Sequence, residues 1–182
     1  MAVLEILTAP HPVLSAKARP VRPDEFGPAI KTFLSDMAET MFAAPGVGLA
    51  APQVGDGRRM IVADLTDDGK ADNPGRGKNV YHMVNPQIVE KSREIITYEE
   101  SCLSVPEYYV DVQRARRIRV RWQDADGNAS EQWFEEFPAV VLQHELDHLE
   151  GVTLLDRSSR LKRSRYLARK KKAQGRGTEA AL

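Results

Sequence analysis

Residues 143–151, QHELDHLEG, close a helix that belongs inside the protein. Pro138 fits its first turn and Gly151 supplies its stop. Between them Val140, Val141, Leu142, Leu146 and Leu149 cover most of the circumference, which predicts a central helix rather than a surface one. A helical turn takes about 3.6 residues, so His144 and His148 project from one face, one above the other. Two imidazoles so spaced can grip one metal ion. Glu145 lies one step round the helix, within reach of a water on that ion and badly placed to be a ligand. The pattern His-Glu-x-x-His fixes only three positions and arises by accident in many proteins. Here its setting is apolar, and buried histidines with a buried glutamate need partners or a metal.

Two imidazoles do not complete a catalytic site, which keeps three protein ligands and an open position. No histidine follows Gly151, and Glu179 lies near the chain end. The best remaining candidate is upstream, Cys102 in YEESCLSVP (98–106). A metal-bound thiolate is fully deprotonated and a strong, soft ligand. The commoner fate of a lone cysteine is that of a small buried hydrophobe. Glu99, Glu100 and Ser101 before it, with Ser104 and Pro106 after it, instead describe a strand end or loop.

Working outward, Phe26, Ile30, Phe33, Leu34, Met37 and Met41 recur at helical intervals and predict an amphipathic helix over 24–43, ended by Pro45-Gly46. GVGLAAPQVG (46–55) is too small and glycine-rich for a strong helix, and it lacks the spacing of a dinucleotide fingerprint. A tight turn is its plainest reading, although Gln53 places a carboxamide where it can donate to a developing oxyanion. MIVADL (60–65) reads as a strand, followed by a polar loop from Asp67 to Lys78. Further strands are expected at 80–85, 87–98, 117–123 and 130–136, with Asp124–Gly127 turning between the last two. The order helix, strands, helix implies an α+β fold: a compact domain of mainly antiparallel sheets packed around the metal-binding helix, with a C-terminal helix.

Composition bounds the function. Apolar residues at 42% and charged ones at 29% are ordinary for a globular domain. The 26 basic and 26 acidic residues cancel, so bulk charge predicts no general affinity for nucleic acid or anionic membrane. Cys102 alone cannot form an internal disulfide and suits a reducing compartment. The N-terminal MAVLEILTAPHP has no signal-peptide pattern, and no apolar stretch is long enough to span a bilayer. A cytoplasmic protein without membrane partners is expected.

Taken together, GVGLAAPQ (46–53), ESCLS (100–104) and QHELDHL (143–149) resemble the three signature motifs of the bacterial peptide deformylases. ILTAPHPVLSAKARPV (6–21) is similar to that family's N-terminal segment, and the likeness covers about residues 3–156. The resemblance implies a hydrolase that removes the formyl group from the initiator methionine of new proteins. It implies Cys102, His144 and His148 as metal ligands, Glu145 as acid and base, and Gln53 with the Leu103 N–H as oxyanion donors. Val47 and Gly48 fall in the strand-like segment that binds the substrate backbone. Helix geometry puts Phe137, Val140 and Val141 on the wall of a methionine pocket; the family alignment adds Tyr98 and sets Tyr109 near its mouth. The ligand set alone suits zinc. The resemblance implies ferrous iron, Fe²⁺, with Zn²⁺, Ni²⁺ or Co²⁺ as replacements in preparations. In one respect the chain departs from the family: Ser101 stands where glycine is usual, which would strain a left-handed backbone.

Two other classes compete. A peptidase on the same helix motif needs a further His or Glu ligand downstream, and beyond Gly151 there is only Glu179 near the chain end. A purely structural metal site usually has four protein ligands, and only three are at hand. Residues 1–156 therefore form the expected catalytic domain and 157–182 a basic helix or tail. From Arg157 to Arg176 the tail carries no acid, while Gly175 and Gly177 point to a frayed end. A solvated basic end is the bland reading. The resemblance implies docking on the ribosome near its exit tunnel, where formylmethionyl nascent peptides emerge.

Overall fold

The computed structural model describes residues 2–66, 75 and 77–179. Among these the α-helices are α1 (Pro28–Ala43), α2 (Glu136–Leu149) and α3 (Arg160–Glu179). The strands are β1 (Gly48–Ala50), β2 (Met60–Asp64), β3 (Val80–Lys91), β4 (Ile95–Cys102), β5 (Val105–Ala115), β6 (Arg117–Gln123) and β7 (Ala129–Glu135). One sheet has the order β1-β2-β3-β6-β7, and β4 pairs with β5 in a separate hairpin. Every pairing between these strands is antiparallel, as the α+β reading requires.

The burial of α2 follows from its sequence. Nine of its side chains are buried, among them Leu142, Leu146 and Leu149 on the core side and Glu145 and His148 on the other. It packs against strands of both sheets. The apolar run of β2 is explained by cover on both faces: Ile61 and Ala63 join Leu142 and Leu146 under α2, while Met60 and Val62 join Ile30, Leu34 and Met37 under α1. A third cluster holds Cys102, Val105, Tyr108 and Val110 against Leu154, Leu155 and Tyr166. The Gln143 carboxamide fixes α2 to the end of β5, accepting from Ala115 N at 3.1 Å and donating to Ala115 O at 2.9 Å. That buried pairing sets the hairpin, and so Cys102, relative to the two histidines.

Several boundaries differ from the sequence reading. The helix expected from residue 24 begins at Pro28, because Pro23–Glu25 is a 3₁₀ turn and Gly27 lies at φ 132°. Pro28 suits a first helical position, where its missing N–H costs nothing. Strands expected at 80–85 and 87–98 are divided elsewhere. β3 runs through Pro86 on a register shift between Val84 and Gln87, with Asn85 at φ 52°, and the chain reverses only after Lys91. Such a bulge takes the proline out of the hydrogen-bond ladder. No strand is assigned by sequence to 105–115, where charged residues interrupt the apolar ones; Glu107 and Asp111 fall on the outward half of β5's alternation, while Arg114 is buried. Gly175 and Gly177 do not end α3, which continues to Glu179. Most of the loop expected from Asp67 to Lys78 lies outside the described residues.

Candidate metal centre and substrate cavity

α2 and the β4–β5 hairpin meet at one point. There Cys102 Sγ lies 3.2 Å from His148 Nε2, and donor atoms of Cys102, His144 and His148 all fall within 4.8 Å of one another. The two imidazoles stand edge to face, centroids 5.1 Å apart, as their one-turn separation dictates. Burial alone would raise the Cys102 thiol, but the charge of His148 and hydrogen bonds from both histidines outweigh it. They hold the thiol well below its usual range. A ready thiolate with two imidazoles is a donor set for a transition-metal ion.

Around these donors is a shell that the sequence reading did not assign. His144 Nδ1 meets Glu100 Oε2 at 2.8 Å, which leaves Nε2 to face the cluster. Glu100 is gripped by Arg114 through two contacts of 2.7 and 2.9 Å, and Arg114 also holds Asp147 at 2.6 Å. Burial pushes the Glu100 carboxyl up, yet Arg114 and then His144 bring it down to about 2. It therefore stays ionised against the imidazole, an arrangement that fixes ring orientation and tautomer. Asp147 carried a signal, lying three residues after His144 on the same face; Arg114 carried none.

Glu145 sits beside the donors without joining them. It is 4% exposed, and its Oε2 has no hydrogen-bond partner. Burial raises its carboxyl to about 7 against the opposing charges of His144 and His148. An orphaned carboxylate poised near neutrality beside three donors fits a metal site that works on water. The carboxylate packs on Gly48: a Cβ there would lie 2.4 Å from Glu145 Oε1. Gln53, 2% exposed, accepts from Ala50 N and donates to Ser104 Oγ at 3.1 Å, with Cys102 Sγ 3.7 Å from the same nitrogen.

Above the cluster opens a cavity of about 470 Å³. Its lining includes Val47, Gly48, Gln53, Tyr98, Cys102, Leu103, Tyr109, Phe137, Val140, Val141, His144 and Glu145. Tyr98 and Phe137 meet at a tilt of 41° with centroids 5.4 Å apart on one wall, and Tyr109 stands 57% exposed at the rim. The residues named from sequence for ligation, proton transfer and substrate contact are thus gathered in one place, His148 behind the wall and the others along it. Ser101 occupies a register irregularity in β4 and is not among the residues with positive φ, so its side chain brings no backbone strain.

The sequence profile of the polypeptide deformylase family matches residues 3–164. The chain belongs to that family. A peptide deformylase from Erythrobacter litoralis is 41% identical over 189 residues, covering 94% of this chain and 97% of the relative. A crystal structure of a peptide deformylase from Legionella pneumophila superposes with TM-score 0.83 at 38% identity, covering 96% of this chain and 99% of that one. A Met-ala-ser bound crystal structure of a class I type b peptide deformylase from Acinetobacter baumannii gives TM-score 0.79 at 36% identity, covering 86% of this chain and 99% of that one. The cluster of Cys102, His144 and His148 fits a deformylase metal site. Among the described residues no helix is long and apolar enough to cross a membrane.

Proposed function

We infer that the chain hydrolyses the N-formyl group of formylmethionyl peptides, releasing formate, with Cys102, His144 and His148 holding one divalent ion. One observation carries this: a buried Glu145 carboxylate, its Oε2 without a partner, stands beside a thiolate and two imidazoles at the floor of a cavity with an apolar wall. Family membership supports the metal-dependent deformylase activity itself. The ion, when bound, supplies Lewis acidity toward water and the formyl carbonyl.

The chain's own groups do the rest. Glu145, near neutrality, takes a proton from the attacking water as the C–O bond forms, then delivers it to the peptide nitrogen as the C–N bond breaks. Gln53 keeps one N–H on Ser104 and gives up its weak contact with sulfur to donate to the tetrahedral oxyanion, joined by the Leu103 N–H. Val47 and Gly48 hold the substrate backbone along the cavity edge. Phe137, Val140 and Val141 wall the methionine pocket, with Tyr98 against Phe137 and Tyr109 at the mouth. The Met-ala-ser held by the Acinetobacter relative supports a peptide of that kind here.

For the ion we propose Fe²⁺ in the cell, in a reducing cytoplasm that protects both the ion and Cys102 from oxidation. Zn²⁺ has the higher intrinsic affinity for such a site and displaces iron on handling. The test is formate release from formyl-Met-Ala-Ser by protein loaded anaerobically with Fe²⁺, Co²⁺, Ni²⁺ or Zn²⁺, with formyl-Gly-Ala-Ser as the control. Turnover should be fastest with iron, and a methionine preference of at least about 1–3 kcal/mol is expected from one buried side chain. No formate with any ion would overturn the activity; equal rates on both peptides would remove the pocket.

Glu100→Gln should weaken metal binding by about 10- to 100-fold, the usual effect of losing the group that orients a ligating imidazole. Competition against a chelator measures it, and an unchanged affinity would show that Glu100 merely balances Arg114.

We also propose that residues 1–156 carry the catalytic groups and that the basic segment from 157, besides covering part of their core, docks on ribosomal phosphate. Tyr166 is buried against Tyr108, so cutting at residue 160 would strip the core as well as the charge. Neutralising Lys170, Lys171 and Lys172 is the cleaner test. Ribosome co-sedimentation should fall at low salt, as it should for the unaltered protein when salt is raised. Undiminished sedimentation would leave the segment a solvated end.

A further inference from the structure

The cavity above the ligands shares part of its rim with a second hollow. Glu107 and Tyr109 line the cavity, and the same two residues line the hollow, of about 410 Å³, between β5 and α3. The opposite wall is Lys162, Arg165, Tyr166 and Arg169, one stripe of α3 at helical spacing. Tyr108 and Tyr166, both buried, meet edge to face at 5.1 Å and belong to the hydrophobic cluster that includes Cys102. Lys162 lies over the Tyr108 ring and donates to the Tyr109 carbonyl, and Arg169 lies over Tyr166 with its guanidinium carbon 5.6 Å from the ring centroid.

Two features mark the hollow as a binding site rather than a gap. Nearby arginines spend their charge on carboxylates, Arg157 on Asp147 and Arg163 on Asp156. Among the described residues no carboxylate pairs with Lys162, Arg165 or Arg169, and Glu107 alone stands against the three cations. In addition the Tyr166 hydroxyl, on a side chain 3% exposed, has no hydrogen-bond partner. A buried hydroxyl without an acceptor is costly unless something supplies one.

We propose that this hollow is the onward part of the substrate groove, where an acidic side chain downstream in the formylated peptide is bound. The inference rests on reading the first cavity as the formylpeptide site. A chain held by its first residue at the ligands must leave across the rim, and Glu107 and Tyr109 lead from that rim into the hollow. A carboxylate there gains the charges of Arg165 and Arg169. The rim shared with the cavity and the aromatic floor favour a peptide over an RNA backbone.

The test compares kcat/KM for formyl-Met-Ala-Ser lengthened by three aspartates, three alanines or three lysines. At low ionic strength the aspartate peptide should exceed the lysine peptide by about three- to tenfold, the range that one or two exposed ion pairs supply, and the gap should close as salt rises. Arg165→Glu with Arg169→Glu should invert the order, and the corresponding Gln pair should flatten it. The ratio is read within each enzyme, so a general loss of activity does not imitate the result. Equal values for all three peptides, or a preference that survives the double substitutions, overturns the proposal. Substitutions that weaken ribosome binding and leave the ratio untouched would assign the stripe to RNA and overturn it too. Failure on formyl-Met-Ala-Ser itself would instead remove the activity on which the proposal rests.

Discussion

Glu145→Gln is expected to keep a full complement of metal while formate release falls by about a hundredfold or more, the scale of a lost general acid–base group. The carboxamide has the carboxylate's shape but cannot accept the proton of attacking water. Burial places the carboxyl near pH 7, where taking and returning a proton cost least. Its partnerless oxygen is free to do so. A second substitution reaches the same group from the other side. In Gly48→Ala the new methyl would stand 2.4 Å from Glu145 Oε1 and 2.8 Å from Cδ, so the carboxylate or β1 must move. Its kcat should drop toward that of Glu145→Gln, with KM rising if the strand gives way. Metal analysis beside steady-state rates decides the matter. A Glu145→Gln protein without stoichiometric metal would make Glu145 a ligand and end its role as proton carrier.

The parts of this site that lie close together in sequence were legible from periodicity, and those assembled by the fold were named only through the likeness to the deformylase motifs or not at all. His144, Glu145 and His148 share one helix, so periodicity alone gave their relative directions. The same reasoning placed Phe137, Val140 and Val141, and all three line the cavity. Cys102 is 46 residues from His148, and polar surroundings, the lack of another donor and the likeness of ESCLS to a family motif pointed to it, not spacing. Glu100 was visible as a neighbour of Cys102, but its bond to His144 and its grip by Arg114 depend on the register of a hairpin whose second strand the sequence hid. Gly48 against Glu145 is another contact across elements, with no trace in spacing. Propensity failed at Pro86, where a bulge lets a strand pass through a proline. Burial of Tyr166 was hidden by the basic residues around it, so the C-terminal helix, though expected, was set apart from the catalytic domain's core.

Cys102→Ala should lose nearly all bound metal, and with it the activity. Three donors converge here, and removing the thiolate leaves two imidazoles and an ion half exposed to solvent. The thiol is already held well below its ordinary range against the two histidines, so the ligand form needs little further ionisation. Cys102→Ser is the sharper comparison: it preserves the shape, but its hydroxyl stays protonated near neutrality. Serine should therefore bind metal more weakly than cysteine and turn over slowly even at saturating ion. Thermal unfolding supplies a readout independent of activity. An ion at 100 times its dissociation constant stabilises the folded state by about 2.7 kcal/mol, so chelation should lower the Tm of the unaltered protein. The alanine variant should show no such shift, having no ion to lose. If it still carries one ion per chain, and its Tm still falls on chelation, the thiolate is not a ligand. In that case His144 and His148 would have to hold the ion with a group other than Cys102, and the buried Glu145 carboxylate beside them would be the first to test.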